Sequence, residues 1–210
     1  MDTLKKQLNA ECSYRMRDET MDMFLAAMSV VELRAGEPLI DYGALDSNIY
    51  ILKNGIVRVA YFNGFKELTW AFGTPGTMMG SYYPFYKHEP SFFRFEACCD
   101  SVFMKISKPG FVELTRRSHD FAQWVMWMSV EQLWLNEKKL AIVNGDAKER
   151  FEALMKNRPE IMEKVSAKVI ASYIGITPQY LSYLKRNFSS SRGEVSTDRD
   201  DFSSDPDEKR

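Results

Sequence analysis

The pattern of hydrophobic and polar positions changes character at about Ser29. Before it, four apolar residues have helical spacing, namely Met21, Phe24, Leu25 and Met28. From Ser29 to Ser107, short apolar segments alternate with turn signals such as Lys53-Asn54-Gly55 and Thr74-Pro75-Gly76. The pattern therefore predicts a helical start followed by an all-β meander or roll.

The clearest single element in the β region is a hairpin. Two apolar segments, Val57–Phe62 and Phe65–Phe72, are separated by Asn63-Gly64. Asn-Gly favours the type I′ turn, whose twist matches that of the two strands. The sequence predicts a two-residue loop at this point.

A long helical run begins at about His119, after a short helix that Pro109-Gly110 introduces. It is apolar nearly all round, so one face is expected to pack on the β region and another on a second copy of the chain. We predict that Trp127, Val130 and Trp134 belong to this dimer contact. A purely intramolecular core helix is the alternative.

A break is predicted at Asn144-Gly145, and a capping box, Asp146-Ala-Lys-Glu149, is expected to start the next helix. Two further helices are predicted after it. Ser166 is a favourable N-cap for a helix over Ala167–Ile174, and Gly175 offers the positive φ of a tight turn. Thr177 caps the next helix, and Pro178 occupies its first position. Together they form a candidate helix-turn-helix.

The second of these helices has one apolar side and one polar side. At about 100° per residue, Leu181, Leu184 and Phe188 are expected to be buried. The opposite side is short, polar and able to form hydrogen bonds, with Lys185-Arg186 at its end. Such a surface suits base edges and phosphates in a major groove. The predicted DNA-binding residues are Ser166, Lys168, Thr177, Gln179, Tyr180, Ser182, Tyr183, Lys185 and Arg186.

Any two amphipathic helices joined at a glycine share part of this pattern. The spacing Ala171-x-x-x-Gly175 and the apolar positions around it, however, resemble the helix-turn-helix signature at all its characteristic positions. The apolar set consists of Ile170, Ile174, Ile176, Leu181 and Leu184.

Charge is distributed unevenly, although the whole chain has a net charge of -1. Residues 147–188 contain eight Lys or Arg and four Glu, which gives +4. Residues 189–210 contain four basic and seven acidic residues, which gives -3. A basic segment is thus masked by an acidic tail that is predicted to be disordered, and phosphates respond to local charge.

Other classes of function find little support in the sequence. Three cysteines, Cys12, Cys98 and Cys99, form neither a disulfide framework nor a C-x-x-C motif. No paired carboxylates, nucleophile with its base, or metal-ligand spacing stands out, so we expect neither an enzyme nor a metal site. The start of the chain lacks the apolar stretch of a signal peptide, and we predict a cytoplasmic protein without membrane contact.

The β region also resembles the cyclic nucleotide-binding domain pattern. The motifs that carry this resemblance are Gly36-Glu37, Gly43, Tyr50-Ile-Leu-Lys-Asn-Gly55, Val57-Arg-Val59, Pro75-Gly76 and Gly80. Together with the helix-turn-helix, residues 20–188 resemble the Crp/Fnr family of bacterial regulators.

This resemblance implies an α+β fold with three parts and a tail. They are a β-roll sensor over residues 1–118, a dimerisation helix and hinge over 119–145, a helix-turn-helix domain over 146–188, and the tail 189–210. It further implies a homodimer that binds double-stranded DNA and RNA polymerase. By the same similarity, Gln179, Ser182 and Tyr183 read bases, and Tyr183 stands where many relatives have Arg.

The sequence departs from the family in its phosphate-binding cassette. Members that bind cyclic AMP have Gly-Glu and later Arg-Ser or Arg-Thr, whereas this chain has Gly80-Ser81 and Ser91-Phe92. Serine cannot replace the bidentate guanidinium, which argues against cyclic AMP as effector. Arg94 is close in sequence, but strand alternation from Ser91 predicts the opposite face.

The effector is therefore left open. The candidate pocket residues are Gly80, Ser81, Tyr82, Ser91, Phe92 and Arg94. The aromatic residues between Tyr82 and Phe95 build either an apolar effector pocket or a well-filled core. An iron–sulfur cluster requires about four cysteines, and haem would depend on His88 or His119, both in predicted surface turns.

The leading hypothesis is a homodimeric transcription factor that reads a near-palindromic site. The second is a ligand-binding module whose DNA domain is weak or vestigial and which acts through protein partners. It is motivated by the acidic tail and by the lack of alternating apolar strands, a wing, after Phe188.

Overall fold

The computed structural model describes residues 2–143 and 146–193, with side chains for residues 3–137 and 146–188. The chain begins with two helices, α1 (Asp2–Ala10) and α2 (Asp18–Ala26). Phe24 and Leu25 of α2 are buried, as the helical spacing predicts.

Eight strands follow within the described residues and confirm the predicted antiparallel β-roll. They are β1 (Ser29–Leu33), β2 (Pro38–Ile40), β3 (Ile49–Asn54), β4 (Val57–Phe62), β5 (Glu67–Gly73), β6 (Met78–Met79), β7 (Phe93–Ala97) and β8 (Ser101–Ile106). They form two four-stranded sheets with the orders β1-β8-β3-β6 and β2-β7-β4-β5. A short π-helical turn, Tyr83–Lys87, lies between β6 and β7.

The predicted hairpin is present, but its turn differs from the expectation. The loop spans residues 63–66, and β5 begins at Glu67 rather than at Phe65. Gly64 has a φ of +93°, whereas Asn63 has no positive φ, so the turn is not type I′. Instead, the Asn63 side chain accepts hydrogen bonds from the backbone N–H groups of Phe65 and Lys66. This local bonding stabilises the longer loop.

Two helices connect the roll to the C-terminal region. The first, α3 (Lys108–Arg117), is capped by Ser107, which accepts a hydrogen bond from the Gly110 N–H. The second, α4 (His119–Val143), confirms the predicted long helix. The ring of Phe121 in α4 lies 4.8 Å from the ring of Phe24, so α4 contributes to the core beneath the roll.

The C-terminal region consists of α5 (Ala147–Asn157), α6 (Pro159–Lys164), α7 (Ala167–Ile174) and α8 (Pro178–Gly193). The capping box of Asp146 and Glu149 is confirmed in both of its hydrogen bonds. The predicted break at Asn144-Gly145 and the tail from residue 194 onward lie outside the described residues. Helix α8 continues past the expected end at Phe188, because Gly193 is the first helix breaker after it.

The C-terminal helices share a core with the β-roll, which the sequence does not predict. Four residues of the roll pack into the helical cluster around Phe151 and Ile170, namely Ile56, Phe72, Cys98 and Cys99. The backbone N–H of Thr69 in β5 also donates to the Ser172 hydroxyl of α7, at 3.0 Å. The predicted DNA-binding region is thus docked on the β-roll through β5.

Candidate functional site

The turn between α7 and α8 is built around Gly175. Its φ is +79°, and the N–H groups of Gly175 and Ile176 both donate to the Ala171 carbonyl at 2.9 Å. A Cβ added at Gly175 would meet nothing closer than the Arg150 guanidinium, 3.9 Å away. The backbone conformation, rather than lack of space, is therefore what requires glycine.

The two predicted helix caps differ in the structure. The Thr177 hydroxyl accepts a hydrogen bond from the Tyr180 N–H at 3.2 Å, which confirms it as the cap of α8. Ser166 has the extended backbone of an N-cap, but its side chain makes no capping bond. The expected side-chain cap at Ser166 is wrong, because the N–H groups of Val169 and Ile170 both bond to the Ser166 backbone carbonyl instead.

Helix α8 has one face in the core and one in solvent. Leu181 and Leu184 are buried in the helical cluster, and Phe188 packs against its edge. The outward set is exposed and consists of Gln179, Tyr180, Ser182, Tyr183 and Arg186. Thr177 and Pro178, which start the helix, are exposed as well. The amino-terminal half of α8 therefore presents hydrogen-bonding side chains on an accessible surface, which we call the reading face.

Local contacts restrict what two of these side chains can offer. The Ser182 hydroxyl donates to the Pro178 carbonyl at 3.0 Å, so its oxygen keeps only acceptor capacity. The rings of Tyr180 and Tyr183 stack with centroids 5.8 Å apart and an interplanar angle of 15°. This stacking holds the Tyr183 phenol beside the helix.

Basic residues accompany the reading face on both helices. Lys168 in the first turn of α7 and Arg186 in α8 are exposed, whereas Lys185 is half-buried. Ser166, directly before α7, is exposed too. All four belong to the set of residues predicted to bind DNA.

The side chains of the two serines in the predicted phosphate cassette form a hydrogen bond with each other. The hydroxyl oxygens of Ser81 and Ser91 are 2.8 Å apart, and both residues are buried. Ser91 also donates to the Phe93 carbonyl at 2.7 Å, so Ser81 is the donor in the pair. Both hydroxyl protons are thereby used inside the protein.

Arg94 points away from Phe93 and Phe95, its neighbours on β7. Its guanidinium lies 3.0 Å from a Glu96 carboxylate oxygen and 3.7 Å from one of Asp41. Phe93 and Phe95, by contrast, line a cavity on the other side of the sheet. Alternation along the strand therefore separates the Arg94 charge from that cavity.

Arg58 on the neighbouring strand β4 is held in the same way. Its guanidinium lies 2.5 Å from Glu67 and 2.9 Å from Glu96. Burial alone would lower the pKa of Arg58, but the bonds to Glu96 and Glu67 outweigh it and raise the pKa. Burial, and then a 3.0 Å hydrogen bond to Glu67, raises the pKa of Tyr42 to about 12. Both arginines are neutralised by carboxylates outside the cavity.

The cavity itself lies between the β-roll and α4 and has a volume of about 250 Å³. Its roll side is lined by Val57, Val59, Trp70, Ala71, Phe72, Gly73, Thr77, Met78, Met79, Gly80, Tyr82, Tyr83, Phe93 and Phe95. Helix α4 adds Met128, Ser129, Gln132 and Asn136. Of the predicted pocket residues, Gly80 and Tyr82 line the cavity, whereas Ser81, Ser91, Phe92 and Arg94 do not. Phe92 instead stacks on Tyr61, with ring centroids 6.0 Å apart.

Sequence reasoning missed the contribution of α4 to this cavity. A signal was present, because Ser129, Gln132 and Asn136 are uncharged polar residues at helical spacing in a stretch that also contains Val130, Leu133, Trp134 and Leu135. Met128 is buried in the core together with Phe121 and Trp124 and also lines the cavity, so the cavity face of α4 adjoins its core face.

The remaining face of α4 is apolar and exposed. Trp127, Val130 and Trp134 are between 39% and 49% exposed, and Met126 and Leu133 extend the same stripe. We call this set the α4 stripe. The helix is thus apolar on two sides, and the described part of the chain covers only one of them.

Metal and membrane sites receive no support from the described residues. Within them, no group of three or more His, Cys, Asp or Glu side chains is arranged to hold a metal ion. His88 and His119 are both exposed. Among the helices described, none has the length and apolar character needed to span a bilayer.

The β-roll can now be compared with known proteins. Residues 30–118 match the sequence model of the cyclic nucleotide-binding domain, so this part of the chain is similar to that family. Comparison with curated protein sequences gives no match.

Solved structures share the fold over most of the chain. FixK2 from Bradyrhizobium japonicum has a TM-score of 0.67 at 15% identity, over 79% of this chain and 86% of that one. The regulator CLP from Xanthomonas campestris, described as c-di-GMP responsive, has a TM-score of 0.67 at 16% identity, over 84% and 93%. The catabolite activator protein of Thermus thermophilus has 0.55 at 16%, over 89% and 88%. At these identities the likeness establishes the fold that this chain shares with known regulators.

Proposed function

We propose that this chain is a cytoplasmic transcriptional regulator of Crp/Fnr type. It acts as a homodimer, reads a near-palindromic DNA site with α8, and responds to an effector other than cyclic AMP. It has no enzymatic activity of its own, and it contacts RNA polymerase at the promoter.

One observation carries the DNA-binding part of this proposal. The turn at Gly175 fixes α8 so that Leu181 and Leu184 are buried while the reading face is exposed. A recognition helix needs this combination, because the apolar side anchors the helix while the polar side enters the groove. Gln179 can bond an adenine edge in a bidentate manner, and Arg186 and Lys168 supply phosphate contacts.

The homodimer is supported by the α4 stripe. Exposed tryptophans on a helix are costly in water, and a second copy of the same stripe would cover them in a two-fold contact. Two-fold symmetry also agrees with a near-palindromic target, whose half-sites lie about 34 Å apart.

An effector other than cyclic AMP is supported by the occupied serines and arginines. Ser81 and Ser91 bond to each other, and Arg58 and Arg94 are held by carboxylates. A cyclic phosphate would have to displace these partners to find a charged donor.

The second function, a ligand-binding module with weak DNA binding, is favoured by one feature of α8. Through Gly193, the described chain continues as helix, with no wing strand after the reading face. Fewer phosphate contacts would then support the complex. Effector binding in a protein without measurable DNA affinity would select this function over the first.

Selection from a genomic fragment library tests the leading proposal. The full chain is incubated with labelled fragments at low and moderate salt, and bound fragments are sequenced and retested by fluorescence anisotropy. We expect sequence-selective binding that weakens with salt, to a motif with two-fold symmetry. Binding that lacks selectivity at every salt concentration would refute the proposal.

A further inference from the structure

The cavity between the β-roll and α4 points to a particular class of ligand. We infer that it takes an uncharged, ring-bearing and largely apolar molecule, which also forms a hydrogen bond to α4. This inference rests on the proposed function, since it names the chemistry of the effector that the regulator would sense.

The lining chemistry favours aromatic or aliphatic groups. Six rings border the cavity, those of Trp70, Phe72, Tyr82, Tyr83, Phe93 and Phe95. Aromatic faces and edges pack well against a ring in offset or edge-on arrangements. Val57, Val59 and the methionines Met78, Met79 and Met128 complete a predominantly apolar wall. Methionine side chains adapt to irregular ligand shapes.

The side chains that line the cavity disfavour an anionic ligand. Among the described residues that line the cavity, none is a lysine, an arginine or a histidine. The guanidinium groups of Arg58 and Arg94 are on the other face of the sheet and are matched by carboxylates. A phosphodiester moved from water into such a wall would lose its hydration without gaining an ionic partner, which is strongly unfavourable.

Helix α4 supplies hydrogen-bonding side chains to the cavity wall. The amides of Gln132 and Asn136 each carry donors and an acceptor, so they can bond a neutral carbonyl, hydroxyl or amine. The Ser129 hydroxyl donates to the Val125 carbonyl at 2.9 Å and therefore offers only lone pairs to a ligand. These residues lie on the helix that also carries the α4 stripe, so the ligand would touch the helix proposed for dimerisation.

The cavity volume limits the ligand to a small molecule. About 250 Å³ is below the range of roughly 300–1,000 Å³ that is usual for drug-sized ligands. One or two rings with a single polar substituent suit this space better than a nucleotide.

A neutral fluorescent probe tests the inference on the full chain. N-phenylnaphthylamine is titrated into the wild type, into Ser129→Trp and into Phe65→Ser. Ser129 is exposed at the cavity border, so a large side chain there blocks the cavity without disturbing the core. Phe65 is 93% exposed in the loop between β4 and β5, does not line the cavity, and controls for adsorption to surface apolar groups. Circular dichroism verifies that each variant is folded.

We expect saturable binding to the wild type and to Phe65→Ser, and binding to Ser129→Trp that is weaker by about tenfold or more, a loss of about 1.4 kcal/mol. Unlabelled cyclic AMP should not displace the probe, and the methylanthraniloyl derivative of cyclic AMP should not bind. Absence of saturable binding, equal affinity in Ser129→Trp, or displacement by cyclic AMP would each overturn the inference. DNA affinity is measured on the same samples, so that a lack of DNA binding, which would contradict the proposed function, is distinguished from a lack of probe binding, which would contradict this inference.

Discussion

The ring of Phe72 in β5 lies 5.0 Å from the ring of Tyr173 in α7, with an interplanar angle of 60°. Phe72 also lines the cavity, and the adjacent Ser172 accepts a hydrogen bond from Thr69 of the same strand. One strand therefore contacts both the candidate effector site and the first helix of the candidate helix-turn-helix. This contact joins two regions that are far apart in sequence.

Removing this contact should destabilise the chain. Tyr173→Ala deletes the aromatic pair and leaves space beside Phe72, so we expect the free energy of unfolding to fall by about 1–3 kcal/mol. Because the helical cluster includes residues of the roll, the wild type should unfold in one transition. Urea unfolding is followed by tryptophan fluorescence and by circular dichroism.

Tyr183→Ala is the matched control for this substitution. It removes the same side chain from the exposed side of α8 and should change the unfolding free energy by no more than about 0.5 kcal/mol. Equal losses in the two variants would contradict an interface role for Tyr173.

Gly175→Ala should strain the turn. The φ of +79° costs an alanine about 1–2 kcal/mol, while the space around the added Cβ is open. Gly175→Asn should lose less, because asparagine tolerates the left-handed region better. Thermal unfolding of both variants measures the difference. An alanine variant as stable as the wild type would mean that the turn does not require this φ.

The reading face was predictable because it depends on local periodicity. Leu181 and Leu184 repeat at helical spacing, and Thr177 and Pro178 fix where the helix begins, so the faces follow from a few neighbouring residues. Glycine at position 175 likewise indicates a positive φ from the residue type alone. The β-roll was predictable for a similar reason, since alternation and turn residues recur along residues 29–107.

The cavity and the domain contact depend on residues that are distant in sequence. Trp70 and Asn136 border the same cavity, and Thr69 bonds Ser172, but no local pattern records either pairing. The missing cap at Ser166 and the four-residue loop after Phe62 show a second limit. Serine is a favourable capping residue, but at Ser166 the backbone carbonyl accepts the hydrogen bonds instead. Asn-Gly is a favourable two-residue turn, but hydrogen bonds to the Asn63 side chain stabilise a longer loop.

Two substitutions on the reading face should affect DNA binding differently. Gln179→Ala should cost about 1–3 kcal/mol at particular bases, because a bidentate base contact is lost. Arg186→Ala should weaken binding to all sequences alike and reduce the salt slope by about one, as expected for a phosphate contact. Anisotropy titrations on the selected site and on single-base variants compare them. Uniform losses for Gln179→Ala would contradict its assignment to a base.

The α4 stripe should determine the oligomeric state. Val130→Asp places a charge at the centre of the stripe, where burial in a dimer would remove it from water. We expect a dimer for the wild type and a monomer for this variant in sedimentation equilibrium at micromolar concentration. Phe65→Asp introduces the same charge at an exposed apolar residue outside the α4 stripe and should remain dimeric. A wild-type monomer would instead identify α4 as an intramolecular core helix.

Asp120 should make stability depend on pH in the acid range. Burial alone would raise its pKa, but hydrogen bonds from Tyr14, Thr20 and the Arg17 N–H outweigh burial, and the pKa lies below its ordinary value. A carboxylate with a lowered pKa stabilises the fold above the unfolded pKa of about 3.9, and this contribution is lost as the pH falls through the folded pKa.

Asp120→Asn should therefore be less stable than the wild type at pH 7, and the difference should shrink below about pH 4. Tyr14→Phe removes one donor, at 2.7 Å from the carboxylate, while leaving the charge in place. In this variant the Asp120 pKa should rise, which carboxyl NMR titration measures directly. A stability difference between wild type and Asp120→Asn that is constant from pH 7 to about pH 3 would show that packing, rather than the bonded charge, is responsible.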